Sequence, residues 1–516
     1  MRLCLKPDSV AQIKDAMKSN KKNGGQALPL GLAGVVFATL LSLMLFNTGQ
    51  VTAEKMRLTH AADAAVYSAM VWEARTLNYE AYLNRAMVAN QVSIAQVVSI
   101  VSWMEYGTMV ADEAAVLMAF VPGLQGVAAN IAEFSQVMKK TSRIFAGPGV
   151  VKTLDGIITA LGSAQQPVKI AGGVAALAAL TAVIHKNDPD YRPSLLSAAW
   201  INDNKNSYMD FTKQYADADA QRRQAPVIND SRDAFTAGRR WELGPWWYPV
   251  GGVPMKLLVA KEGETRLMES TAPEEDAENL GSARRDPEWQ WKAKDTLAVH
   301  GKYFVCRKMR CGWRWAEFPI AWGAANYSTT GEDLEYCETF NGEWFFATQC
   351  PAWSRNATTE KLADGMIQQI NALYRGLQPY HDLSDISAAN TDPRLTLSLE
   401  LVVERGDVRT AAQVEHLGSK MNKPVTASGL GEGMFYLDDR LGTEGASEVL
   451  SAVSSAEVYF RRPTDRKAEY GARDTKLDEF GSLFNPYWDV RLRKDENARS
   501  AAWLARVASP AGGVVP

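Results

Sequence analysis

The stretch Ala27 to Phe46, ALPLGLAGVVFATLLSLMLF, holds twenty residues of which only Thr39 and Ser42 are polar. A helix of that length spans about 30 Å, the hydrocarbon thickness of a bilayer. No charged residue lies between Lys22 and Glu54. Pro29 falls in the first turn, where a missing N–H is harmless. Lys14, Lys18, Lys21 and Lys22 precede the stretch, and the mixed charges Glu54, Lys55 and Arg57 follow it. The positive-inside rule then puts residues 1–22 in the cytoplasm and the chain after about residue 50 outside. A secretory signal cleaved at Val51-Thr52-Ala53 is the competing reading. The long leader and the twenty-residue apolar core favour an anchor.

The whole chain has 516 residues, 46% hydrophobic and 22% charged, which is globular composition. Its net charge of -3 is unevenly spread. Residues 1–22 carry six Lys/Arg against Asp8 and Asp15, so the remainder sums to -7. A bulk of that sign argues against a nucleic-acid binder, whose affinity needs a clustered basic face. Internal repeats and low-complexity tracts are absent.

From Met56 to Phe120 there is no Pro and Gly107 is the only glycine. Leu58, Ala62, Ala65, Ala69 and Trp72 open a series of alternating four- and three-residue steps that continues through Thr76, Tyr79, Leu83 and Ala86. That is helix periodicity with a small-residue seam. The seam reads equally as a core-packing face and as a stalk that packs against partner helices. Ile170 to Ile184 (IAGGVAALAALTAVI) is apolar but short for a second span, and a buried or hairpin helix is the better reading.

From about residue 231 the character changes. Trp241 and Gly244-Pro245-Trp246-Trp247-Tyr248 introduce Trp and Gly-Pro punctuation. Leu297–Val305 and Leu395–Val403 alternate like strands, and Leu362, Met366, Ile370 and Leu373 predict a helix around Glu360–Leu377. Trp289/Trp291 and Trp313/Trp315 are i,i+2 pairs, each placing two indoles on one strand face. Such faces suit core packing, a protein interface or a glycan platform. The expected fold is α+β. A basic tail (1–26) leads into a transmembrane helix (27–50), a helical stalk (51–145), an apolar helical region (146–230) and an outer α+β domain (231–516).

Cys4 stands alone on the cytoplasmic side, whereas Cys306, Cys311, Cys337 and Cys350 fall within 45 residues on the outer side. In an oxidising compartment four cysteines suggest two disulfides with three connectivities. Short loops favour Cys306–Cys311 with Cys337–Cys350. A zinc site is the rival, but the C-x2-C pairs it usually needs are missing.

Catalytic motifs are not found. His60, His185, His300, His381 and His416 are scattered without metal-ligand spacing, and neither a G-x-S-x-G elbow nor a P-loop occurs. Gly429-Leu430-Gly431-Glu432-Gly433 misplaces the third glycine of a dinucleotide fingerprint, so it reads as a turn. Asp438-Asp439 and Glu274-Glu275-Asp276 read as solvated surface. Asp382-Leu383-Ser384-Asp385-Ile386 breaks the D-x-S-x-S adhesion pattern at its last position. The expectation is a non-enzyme with no catalytic residue, metal or cofactor.

Gly25-Gln26-Ala27-Leu28, Phe46-Asn47-Thr48-Gly49-Gln50, Glu54-Lys55-Met56-Arg57-Leu58 and Ala61-Ala62-Asp63-Ala64-Ala65 together resemble the TadE/TadG-like family of Tad (Flp) pilus assembly. The likeness continues through Trp72–Asn78 and Asn84–Gln91, and Ala456–Phe460 and Leu483–Trp488 resemble the longer members. The resemblance implies a bacterial inner-membrane protein with a cytoplasmic tail, one span and a periplasmic domain. Its implied partners are the inner membrane, other Tad/Flp assembly proteins and pilins, with self-association left open. Prepilins of this type are cut after a glycine and carry Glu five residues on. Here Leu30 stands at that place after Gly25, so neither cleavage nor a major-filament role is expected. The implied role is an anchored assembly component. The alternative is a pilus-associated, adhesin-like surface protein that uses its Trp-rich outer domain.

Overall fold

A computed structural model describes residues 27–250, 253–270, 287–307, 310–335, 338–342, 345–349, 352–385, 396–405, 450–461 and 481–494, with residues 497, 500 and 501. The fold is α+β and is organised along one helix. Helix α1 (Ala27–Ala119) runs 93 residues without a break, about 140 Å at 1.5 Å per residue. It therefore carries the apolar stretch and the small-residue seam on one continuous axis. A turn at residues 120–124 reverses the chain into α2 (Gln125–Phe145), and α3 (Pro148–Asn187) continues back along α1. Pro148 at the start of α3 and the extended Gly147 before it set that second boundary.

Two sheets flank α1. The first has the order β1 (Tyr191–Pro193), β11 (Thr396–Arg405), β12 (Leu450–Phe460), β13 (Trp488–Arg493), all antiparallel. The second joins β3 (Trp241–Val250), β4 (Val253–Glu269), β5 (Trp289–Arg307) and β6 (Arg310–Ser328), with β9 (Ile367–Gln369) parallel to β6. Between β1 and β3 come α4 (Leu195–Phe211), β2 (Thr212–Tyr215), α5 (Ala218–Asp230) and α6 (Ala234–Ala237). The remaining elements are the hairpin β7 (Glu338–Gly342) and β8 (Phe345–Gln349), helix α7 (Ala357–Asp364), and β10 (Tyr380–Leu383), which pairs with β2. Ser194, Asp217 and Asp233 cap α4, α5 and α6 through their side chains, each accepting from a backbone N–H three residues on.

The core follows α1. Leu58, Ala62, Ala65, Ala69, Met70 and Leu77 are buried with Ala176, Leu180 and Ile184 of α3 and with Leu399, Leu401, Ala456 and Val458 of the first sheet. Farther along, Met87, Ile94, Val98 and Val101 are buried with Val151 and Ile158 of α3 and with Trp291, Ala293, Ala325 and Tyr327 of the second sheet. Each large side chain so buried contributes roughly 1.5–3 kcal/mol. Small residues set the spacing. A Cβ on Gly172 of α3 would lie 2.1 Å from Thr76 Oγ1, and one on Gly323 of β6 would lie 2.4 Å from the carbonyl of Ser102. Helix and sheet therefore meet α1 at backbone distance.

The strand reading at 297–305 falls in β5, and that at 395–403 falls in β11 from Thr396 onward, Leu395 lying outside the described residues. The helix expected over 360–377 is shorter: α7 ends at Asp364 with Gly365 as its cap. Ile367–Gln369 then pairs with β6, whose free edge supplies ladder partners that outweigh the helical spacing. Ile370 is buried, whereas Met366 and Leu373 are exposed, so the four apolar positions do not share one face. Of the outer cysteines, Cys306 stands opposite Cys311 in the β5–β6 register. Cys337, Cys350, the tail 1–26, Gly429–Gly433, Asp438-Asp439, Glu274–Asp276 and Ile386 lie outside the described residues.

Candidate functional site

The first candidate is the start of α1. Leu28, Leu30, Leu32, Phe37 and Leu45 are all exposed, with Leu28 at 80%. Exposed apolar surface on this scale marks an interaction with lipid or protein. Thr39, Ser42 and Thr48 each turn their hydroxyl back onto the carbonyl four residues earlier, which removes the polar groups from the surface. Among the described residues, two helical stretches can cross a membrane by length and composition: the one beginning at Leu28, with none of its apolar window buried, and Gln125–Asn187, with 28% of its window buried. The segment 170–184 belongs to the second and packs Ala176, Leu180 and Ile184 onto α1.

The second candidate is the junction where the quoted motifs meet. Asn78 donates from Nδ2 to the carbonyl of Trp488 at 2.8 Å and accepts from its N–H at 2.9 Å. Asn84 donates to the carbonyls of His381 at 2.8 Å and Leu483 at 2.7 Å, while its Oδ1 accepts from Gln165 Nε2 at 2.5 Å. Arg85 donates to the Phe484 carbonyl at 2.6 Å and to Asn485 Oδ1 at 3.1 Å. Asp382, read from sequence as part of a broken adhesion pattern, is buried, and its Oδ1 accepts from the Leu483 N–H at 2.9 Å. Burial pushes its carboxyl above the ordinary range. Nearer the apolar end of α1, Asp63 accepts from Ser454 at 2.6 Å, and Lys55 donates to the Ser451 carbonyl. The family-like residues at the two ends of the chain thus form one docking surface.

The predicted seam lies on this surface. Leu58, Ala62, Ala65 and Ala69 are covered by α3 and the first sheet, and Trp72 is 42% exposed. Deeper in the junction Glu73 is almost fully buried, and desolvation raises its pKa to about 8 against a weaker opposing hydrogen bond from Asn204. Sequence reading missed these polar residues as a group, since their partners lie hundreds of residues away.

Ionic hubs lie on both faces of the second sheet, and one of them reaches α1. Asp295 is fully buried and accepts from Ser102 at 2.8 Å, from Lys261 at 2.6 Å and from Arg239 through both oxygens at 2.8 and 3.0 Å. On the opposite face Lys292 reaches Glu335 at 2.5 Å, Asp333 at 2.7 Å and Asp364 at 3.1 Å, which ties α7 to β5. Buried ion pairs of this kind fix geometry more than they add stability.

The two tryptophan pairs separate. Trp289 and Trp291 are buried, and Trp291 donates to Gln91 of α1 at 3.2 Å. Trp313 and Trp315 are exposed at the far part of β6. There the register aligns Trp247, Lys256, Lys302 and Trp315 across β3, β4, β5 and β6. Trp313 stands opposite Phe304 and packs edge-on against it at 5.4 Å and against Trp247 at 5.9 Å. The lysines were not legible in the sequence, because strand alternation shows one strand's face but not which residue of the next strand stands beside it.

No curated protein and no solved structure matches the chain. Residues 25–74, from the approach to the apolar stretch into the buried seam, match the Tad family model, "Putative Flp pilus-assembly TadE/G-like". That stretch of the chain is thus similar to the Tad (Flp) pilus-assembly family.

Proposed function

We propose that the protein is a membrane-anchored, non-enzymatic assembly component of a Tad (Flp) pilus machine. Its N-terminus lies in the cytoplasm, residues 27–50 cross the inner membrane once, and everything after them is periplasmic. It acts by binding pilins and other assembly proteins, and Cys306–Cys311 and Cys337–Cys350 close as disulfides on the periplasmic side. The observation that carries this reading is the unbroken α1, which passes from a bare apolar stretch into a buried spine within the segment that matches the family. A directly opposed strand pair has Cα atoms about 4.5–5.5 Å apart, which is disulfide range, and Cys306 and Cys311 form such a pair.

Purification from native membranes through a C-terminal tag tests the proposal. Full-length protein accompanied by pilins or other assembly proteins, with its outer part digested only when protease reaches the periplasm, is the expected result. Protein shortened near Ala53 and recovered from the soluble periplasm without partners overturns it.

A further inference from the structure

The cross-strand row Trp247–Lys256–Lys302–Trp315 is left without a role by the assembly function. Residues directly opposite on neighbouring strands share a face, so the row sets two ammonium groups side by side between two indoles. Trp247 is 59% and Trp315 54% exposed. Lys256 lies 5.8 Å from the Trp247 ring centre, and Lys302 lies 5.5 Å from Trp315 and 5.7 Å from Trp313. Among the described residues neither lysine pairs with a carboxylate. Like charges directly opposite on a sheet are destabilising. The arrangement therefore leaves a local excess of positive charge that an external anion would neutralise.

We propose that this row binds a linear anionic polysaccharide. The faces of its sugar rings rest on Trp247 and Trp315, and its carboxylates meet Lys256 and Lys302. An indole face is electron-rich and attracts the weakly positive C–H groups that line one face of a pyranose ring. Three strand spacings, about 14 Å, separate the backbone positions of Trp247 and Trp315, and the Trp247 ring leans onto Trp313 on the same strand as Trp315, so the aromatic surface spans more than one sugar and the ligand is a chain. The row lies straight across a sheet face, which suits a strand-like polymer better than a fluid lipid surface. Single-stranded nucleic acid is held by a basic groove that tracks its backbone, whereas only two lysines stand side by side here and the chain beyond residue 22 carries a net charge of -7.

This inference goes beyond the assembly role and does not depend on it, since the two are read by different experiments. The full chain, purified in uncharged detergent, is titrated with polygalacturonate, and tryptophan fluorescence reports binding. Saturable binding that weakens with salt, and at least about tenfold weaker binding in both K256Q/K302Q and W247A/W315A, is the expected result. Dextran, the neutral comparison, is expected to give no saturable change. Circular dichroism checks that the variants keep the native fold, and Trp315→Phe, which keeps an aromatic face, is expected to retain most of the affinity. Absence of saturable binding overturns the proposal, as does binding unchanged in K256Q/K302Q. Tighter capture of single-stranded DNA or of phosphatidylglycerol vesicles than of polygalacturonate also overturns it.

Discussion

Asn78 holds both the N–H and the carbonyl of Trp488, a residue 410 positions later in the chain. A side-chain amide can satisfy a backbone donor and acceptor together, with its oxygen accepting and its NH2 donating. It clamps the start of β13 onto α1 next to a sheet of four strands. Asn78→Ala should leave both backbone groups unpaired and lower stability by roughly 1–3 kcal/mol. Asn78→Asp, which keeps only the acceptor, should also destabilise, because the Trp488 carbonyl loses its donor. Denaturant unfolding measures the loss, and amide exchange should show it concentrated in residues 481–494.

Close approach of α3 to α1 depends on Gly172. A methyl group there meets Thr76 Oγ1 at 2.1 Å and its Cγ2 at 2.7 Å. Gly172→Ala should lower the melting temperature, at a cost of roughly 1–3 kcal/mol for the displaced helix. Adding Thr76→Ala removes the two nearest atoms and should recover part of the loss.

Ala62 and Ala65 are fully buried, whereas Ala64 between them is exposed. Ala62→Leu and Ala65→Leu should each destabilise the isolated protein by roughly 1–3 kcal/mol through overpacking. Ala64→Leu should change its melting temperature little. Equal melting temperatures for all three would mean that the seam is open rather than filled by α3 and the first sheet.

Glu73 gives the junction a pH dependence. Its ordinary pKa of 4.5 rises to about 8 on burial. Between those values the unfolded chain has lost the proton and the folded chain keeps it, so stability falls as pH rises and levels off above about pH 8. The loss from pH 5 to pH 8 should amount to a few kcal/mol. Glu73→Gln should flatten that slope, as urea unfolding at the two pH values would show.

Much of the architecture was legible in the sequence, for local reasons. The absence of Pro and the single glycine between Met56 and Phe120 leave helix as the natural state, and the four-and-three spacing of Leu58 to Ala69 marks its buried side. The alternation in β5 and β11 was equally readable. The helix at 360–377 was misread because four apolar residues happened to fall at helical spacing while Gly365 ends α7 and β6 offers Ile367–Gln369 an edge. Trp289/Trp291 and Trp313/Trp315 look alike in sequence, yet α1 covers the first pair and leaves the second bare. The clamp on Trp488 and the lysine pair on the second sheet depend on contacts across long loops, which no short-range pattern encodes.

The unbroken α1 behaves as a drive shaft between its bare apolar stretch and the outer body that packs around its later turns. It has no hinge to absorb torsion, so its phase at residues 47–53 fixes the azimuth at which the outer body faces its neighbours. One residue inserted there would swing that body by about 100° and raise it about 1.5 Å, whereas a four-residue insertion would nearly restore its heading. Every neighbour that recognises the outer body in a fixed orientation therefore constrains the length of a segment it never touches.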